Sequence, residues 1–328
     1  MDFCEIRFSP IRVDEALTHA GARRIMATAA IWLGIGAAVI AAFCQTATDI
    51  GTKAATREAE ERLVVATQWC VGAVMLTALC LALHPELLLR PMSAMPELTR
   101  GNFWPLLLGS SVLNVAAYYF FVRAYRLSDA SLAAPLLLIT PVLMLVTSPL
   151  LVGQRVSPLG AAGVVLSVAG GLVLASSEPG ARPRASLMTF VRDPGVRSMG
   201  VTAVIYSVTA NIDKLGIEAS TPIFWIAAVT DAIAASSLVV LVASRPRAFR
   251  FSQLRYAFAA GVANAVGNAT QMYALTLLFV PYVIALKRMS ALFTVIVGGL
   301  ALGENFRTRL LGAAIMFAGA ALVILARQ

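Results

Sequence analysis

Charge is what this 328-residue sequence has least of. Asp, Glu, Lys and Arg together make up 13% of it, about half the ~25% of an ordinary soluble protein, while hydrophobic residues reach 59%. Histidine occurs only twice, as His19 and His84, so neither a histidine metal cluster nor a histidine-based triad can be assembled. No P-loop, GxSxG or HExxH segment is present, and nothing in the residues argues for an enzyme, a metal or a cofactor. Four cysteines without CxxC spacing exclude a disulfide scaffold. Three of them, Cys44, Cys70 and Cys80, lie in or beside apolar runs and read as buried free thiols. A mean hydropathy of +0.80 excludes a disordered chain. The formal charge of +9 is no mark of a nucleic-acid binder, because the arginines are scattered through the connections; lipid headgroups suit them better.

What is present instead is apolar length. Runs of low charge occur at about 28–50, 63–84, 103–125, 130–152, 158–176, 198–217, 222–243, 254–277, 281–302 and 308–326. Each approaches the ~20 residues that cross a bilayer as a helix. Their hydrophobicity is continuous, not alternating, which excludes a barrel, and a bilayer admits only helices or closed barrels. The reading is an all-α integral membrane protein of ten transmembrane helices. Residues 1–27 mix both charge signs without an apolar stretch and read as a polar N-terminal tail, not a cleavable signal.

The arrangement of the runs is informative. At an offset of 150, Asn114 meets Asn264, Tyr118 meets Asn268, Phe121 meets Gln271 and Gly153 meets Gly303. An offset of 162 matches Gln45 with Ser207 and Asp49 with Asn211, and LGAA at 159–162 recurs at 311–314. The matches keep the same order in both halves, as an internal duplication does. A first five-helix repeat over 28–176 and a second over 198–328 are then joined by the polar stretch 177–197. An odd number of helices per repeat inserts the second copy upside down, the plan of many secondary transporters.

The two halves resemble a tandem pair of EamA-type domains of the drug/metabolite transporter superfamily. The resemblance rests on GQR at 153–155 and GEN at 303–305, similar to the family's Gly-Glu turn between the fourth and fifth helices of each repeat, and on the LGAA runs that follow. It covers about residues 28–326. Gln154 departs from the family's glutamate, which survives as Glu304, so a capping or turn-holding role fits this position better than a symmetrical carboxylate. The resemblance implies export of amino acids and related metabolites, and both termini in the cytoplasm. The arginines lie more on the opposite side, which by the positive-inside rule argues for the reverse orientation.

Intramembrane charges are functional candidates by default, because each costs at least ~2.5–3.5 kcal/mol at mid-bilayer. They are Asp49 and Lys53 in the first helix, Arg123 in the third, Asp213 and Lys214 in the sixth, Asp231 in the seventh, and Lys287 with Arg288 in the ninth. The chain has only three lysines, all within or at the ends of spans. Lys53 and Lys214 are near helix ends, where snorkelling or local pairing competes with a ligand role. Lys287 lies six residues past Pro281, ~9 Å along a helix, and reads as a ligand or ion-pathway contact together with Arg288. Asp231, in the middle of its run, is expected to pair with Lys287, Arg288 or Lys214, or to act as a coupling carboxylate; Asp49 poses the same choice.

Neutral polar residues form stripes. Asn264, Asn268 and Gln271 follow i, i+4, i+7, matched by Asn114 and Tyr118; Ser207, Asn211 and Lys214 share that spacing and are matched by Gln45 and Asp49. Stripes at matched positions predict a central polar cavity, with interhelical hydrogen bonding as the alternative. Pro141 is expected to kink the fourth helix.

The reading is an inner-membrane, multi-pass secondary transporter, exporting a small polar metabolite of amino-acid or organic-anion type by alternating access. Lys287, Arg288, Lys214, Asn211, Asn264, Asn268, Gln271, Asn114 and Tyr118 are its substrate-binding candidates, and Asp231 and Asp49 its ion-coupling or charge-pairing ones. Its partners are the substrate and membrane lipids, with proton coupling and a homodimer left open. Two alternatives stand beside it: a flippase for a lipid-linked metabolite, and a non-transporting scaffold or sensor whose polar stripes only join helices.

Overall fold

The computed structural model describes residues 11–88, 102–128, 134–176, 193–244, 250–290, 293 and 307–326. Among them are ten α-helices and no strand: α1 (Ile11–Glu58), α2 (Glu61–Leu83), α3 (Phe103–Leu127), α4 (Thr140–Leu151), α5 (Pro158–Ser176), α6 (Pro194–Ala219), α7 (Pro222–Ala243), α8 (Arg255–Leu277), α9 (Val280–Lys287) and α10 (Arg307–Leu325). Four stretches are long and apolar enough to cross a membrane, Ala29–Glu58, Glu61–Leu83, Phe103–Leu127 and Pro222–Ala243; Leu136–Leu151, Pro158–Leu174 and Leu311–Leu325 are shorter apolar helices. The helix of α1 already begins at Ile11, inside the segment expected as a polar tail. The linker after residue 176, the second glycine turn at 303–305 and Gly299 lie outside the described residues, apart from 193–197 of the linker.

Local sequence chemistry sets the helix starts. Asp193 caps α6 by accepting from the N–H groups of Gly195 and Val196, both at 2.9 Å, and Thr221 caps α7. Proline stands in the first turn of α4, α6, α7 and α9, where its missing N–H costs nothing. This corrects the expected role of Pro141. It does not kink a continuous helix but opens α4, and residues Ala134–Ile139 before it form a 3-10 segment. Gly153, at φ +72°, turns the chain between α4 and α5 in a conformation that favours glycine. The next residue, Gln154, accepts the N–H of Val280 at 3.0 Å, so its side chain caps the start of α9.

The helices pair in a pattern that survives exchanging each for the one five places later. α1 packs on α8 and α3 on α6; α5 packs on α10, α2 on α7 and α4 on α9. The α1–α8, α3–α6 and α5–α10 pairs run antiparallel. Gly34 of α1 lies against Leu278 and Gly51 against Ala260, while Gly195 of α6 lies against Ser128 and Thr202 donates to the carbonyl of Ala117 at 3.1 Å. The α5–α10 seam is the tightest. Gly163 faces Gly319 and Gly170 faces Gly312, so close that a Cβ at Gly170 would stand 2.4 Å from the backbone nitrogen of Met316. In a lipid environment apolar side chains gain little by leaving lipid for one another, and small residues that let backbones approach supply the contact instead. Cys44, Cys70 and Cys80 are free thiols.

Gly170→Val is therefore expected to destabilise the bundle by roughly 1–3 kcal/mol or more, read as a lowered thermal midpoint in detergent. Gly36→Ala, where nothing lies within 4 Å of the added carbon, is expected to stay within about 0.5 kcal/mol of the parent.

Candidate functional site: a central cavity with a buried cation pair

A cavity of about 80 Å³ lies between the helices, several times the ~10–15 Å³ that one water needs. Of the sequence-predicted residues, Asn114 and Tyr118 on α3, Asn264, Asn268 and Gln271 on α8, and Lys287 and Arg288 at the end of α9 line it. The matched stripes of α3 and α8 thus meet in one space. Tyr118 donates to Gln68 at 2.7 Å, and Gln68 donates to Thr52 at 2.9 Å, a buried chain joining α3, α2 and α1. Asn114 donates to Ser110, and Asn268 to Asn264 at 3.4 Å.

The two cations are 9% and 8% exposed. Lys287 donates to Gln271 at 2.6 Å. Arg288 reaches the Thr140 hydroxyl only at 3.5 Å, and its Nε has no hydrogen-bond partner among the described residues. None of the ion pairs within 4.0 Å among those residues involves either cation. The regular helix of α9 ends here, with a tighter bond from the Met289 N–H to the Leu286 carbonyl at 3.0 Å. Thr46 of α1 donates to the Ser290 carbonyl beyond that end, at 3.0 Å.

The first half of the chain carries a known signature. Residues 32–176 match the EamA-like transporter family. With the long apolar helices, the match points to a multi-pass membrane protein. A solved crystal structure is similar over 92% of this chain and 98% of its own, with a TM-score of 0.69 at 22% identity, a likeness of fold alone. No curated protein matches the sequence.

Other residues complete the lining. Trp69, Tyr206 and Thr209 escaped the sequence reading, while Asp213, marked there as an intramembrane charge but not as a binding residue, faces the same space. Asp213 accepts from Ser110 at 2.8 Å and from the Trp225 indole at 3.1 Å, while the Trp69 indole N–H has no partner among the described residues. On α6 the cavity face runs through Tyr206, Thr209 and Asp213. Tyr206 and Asp213 stand one position, and Thr209 two, before the expected Ser207, Lys214 and Asn211, and one residue already rotates a helix face by ~100°.

The expected stripe points elsewhere. Asn211 donates to Thr147 at 3.1 Å and to the Ser207 carbonyl at 2.7 Å, joining α6 to α4. Lys214 donates to the Leu275 carbonyl at 2.7 Å, in the last turn of α8, and lies 3.6 Å from Glu218. Lys53 does the same in the other half, donating to the Tyr125 carbonyl at 2.8 Å in the last turn of α3. Two of the three lysines thus cap the negative end of a helix. Asp231 lies on the outer face of α7, where both its carboxyl oxygens contact the Thr77 hydroxyl, at 2.9 and 2.8 Å; it pairs with none of the three cations proposed for it. Asp49 accepts from Gln45 at 2.8 Å on α1, just outside the cavity lining. Outside the spans, burial works against the charge of Asp193, but the Ser128 hydroxyl and the Val196 and Gly195 N–H groups hold its carboxyl below the ordinary range.

Lys214→Met is expected to lower thermal stability by about 0.3–1 kcal/mol, the worth of a cation at a helix C-terminus, and to leave ligand binding in the cavity unchanged. Binding lost at full stability would return Lys214 to the site.

Proposed function

We propose that the chain is an inner-membrane secondary transporter for a small polar metabolite bearing a carboxylate or another anionic group, worked by alternating access between two inverted five-helix repeats, 28–176 and 198–328. The observation that carries the substrate class is the guanidinium of Arg288. A buried cation is costly unless paired and hydrogen-bonded, and this one faces a cavity with its Nε free and no carboxylate within pairing distance among the described residues. Lys287 and the free indole N–H of Trp69 add donors on the same space. Asp213, across α6, supplies the one carboxylate in the lining and suits an amino group on the same molecule. Asn114, Asn264, Asn268, Gln271 and Tyr118 serve its polar edges.

The pairing of helices supports the inverted repeat. An antiparallel α5–α10 seam, and matched α1–α8 and α3–α6 contacts, follow naturally when one five-helix unit is inserted twice in opposite directions. The matched lysine caps of α3 and α8 belong to the same correspondence.

The test is counterflow in liposomes preloaded with a mixed pool of amino acids and organic anions. Saturable exchange of an anionic or zwitterionic compound is expected. Lys287→Ala and Arg288→Ala are each expected to abolish it while membrane yield and thermal stability stay near the parent's. Flat traces across the panel from folded protein would overturn the proposal and favour a lipid-linked substrate or a non-transporting role.

A further inference from the structure

We infer that Lys53 and Lys214 are releasable latches at opposite ends of the cavity, each holding one mouth shut and letting go when that mouth opens. The inference rests on the alternating-access reading given above and adds the side chains that hold each gate.

Four of the helices around the cavity fall into two blocks. α1 packs far more on α8 than on α3, and α6 far more on α3 than on α8, so the α1–α3 and α6–α8 seams between the blocks are lightly packed. Both lysines cross those seams. Lys53 leaves α1 and donates to the carbonyls of Tyr125 at 2.8 Å and Ser128 at 3.4 Å, at the end of α3. Lys214 leaves α6 and donates to the Leu275 carbonyl at 2.7 Å, at the end of α8. The crossings stand at opposite ends of the bundle. The start of α8 lies by the end of α1, with Ala260 against Gly51, and the start of α6 lies by the end of α3, with Gly195 against Ser128. With Lys53 joining the ends of α1 and α3, the ends of α6 and α8 fall on the other side. The cavity lies between. Its lining reaches Phe121 on α3 and Met272 on α8. Tyr125 and Leu275 follow four and three residues later, ~6 and ~4.5 Å along the axis.

A lysine at a helix C-terminus is suited to be made and broken. The carbonyls of a last turn have no partner in their own helix and carry the negative end of its dipole, so an ammonium holds them while the seam is dry. When the blocks part at that end, water enters and hydrates carbonyl and ammonium alike. The long stem lets the charge follow the water outward. At the second latch Glu218, half exposed and one turn beyond Lys214, already stands 3.6 Å from the ammonium and receives it there. The two latches act in opposition. Blocks that tilt about a cavity between them open at one end by closing at the other, so the release of Lys53 tightens Lys214, and the reverse. Both contacts are made in this structure.

Spin-label distances across the two seams read the latches without a substrate. The full chain, its four cysteines replaced by alanine, is placed in nanodiscs with labels at Arg57→Cys and Leu127→Cys across the α1–α3 end, or at Ser220→Cys and Thr276→Cys across the α6–α8 end. Lys53→Met is expected to add a second distance, longer by ~5 Å or more, to the 57–127 pair alone, the scale of a one-turn shift between packed elements. Lys214→Met is expected to add it to the 220–276 pair alone. Lys53→Arg and Lys214→Arg, which still donate to the carbonyls, are expected to keep the parent's distances. Should a methionine variant fail to fold, Lys53→Ala or Lys214→Ala is read in its place. A lysine that only stabilises the fold would lower the thermal midpoint and move neither distance. An unchanged distance at the end that a variant should open, or both ends widening together, overturns the latches and leaves the carrier standing where counterflow by the parent is saturable. Flat counterflow from folded parent protein overturns the carrier, and the latches fall with it whatever the distances.

Discussion

A guanidinium held inside an apolar bundle, without a carboxylate close enough to pair among the described residues, is the constraint around which the rest of this molecule is organised. An ion in such a place must be neutralised, paired or wetted. The bundle meets this need by distance. Asp49 and Asp213 approach from α1 and α6, held by Gln45, Ser110 and Trp225, and neither closes on Arg288. Lys287 is turned to Gln271. The result is a polar space with spare positive donors, bordered by amides and phenols that can accept or donate.

Holding that space open falls to contacts that have nothing polar to offer a ligand. Backbone approaches at Gly163, Gly170, Gly312 and Gly319 fasten α5 to α10. Lys53 and Lys214 tie the first helix of each half to the last turn of its third. Gln154 reaches from the α4–α5 turn to the start of α9, the helix that ends at the cation pair. Each of these brings together segments distant in the chain.

Much of this was legible in the sequence. The all-helical character and the approximate bounds of most described helices followed from apolar length, because the bilayer leaves no other way to satisfy a buried backbone. The α3 and α8 stripes reach one space because polar residues at i, i+4, i+7 on an otherwise apolar helix have one face in common. On α6 the same rule picked a face that the cavity does not use. Ser207, Asn211 and Lys214 keep the spacing as well as Tyr206, Thr209 and Asp213 do, and only packing decides which face turns inward. Asp231 misled for another reason. Position along a helix gives depth in the bilayer but no azimuth, and a carboxyl at that depth can face outward when a neighbour such as Thr77 supplies a hydroxyl. The lysine caps were hidden because a span's end looks alike whether its cation snorkels to water or turns to a neighbouring helix's carbonyls.

The proposed duplication does not extend to the two cations of the cavity. The positions in the first half that match Lys287 and Arg288 are Leu137 and Leu138, both buried. In a carrier built from two equal halves, exchanging their conformations would turn an inward-facing state into an outward-facing one of the same energy. Here one half carries both cations and the other carries leucines, so the exchange is not between equals. In the proposed carrier the transmembrane voltage would therefore act unequally on the two halves through the buried pair at the end of α9.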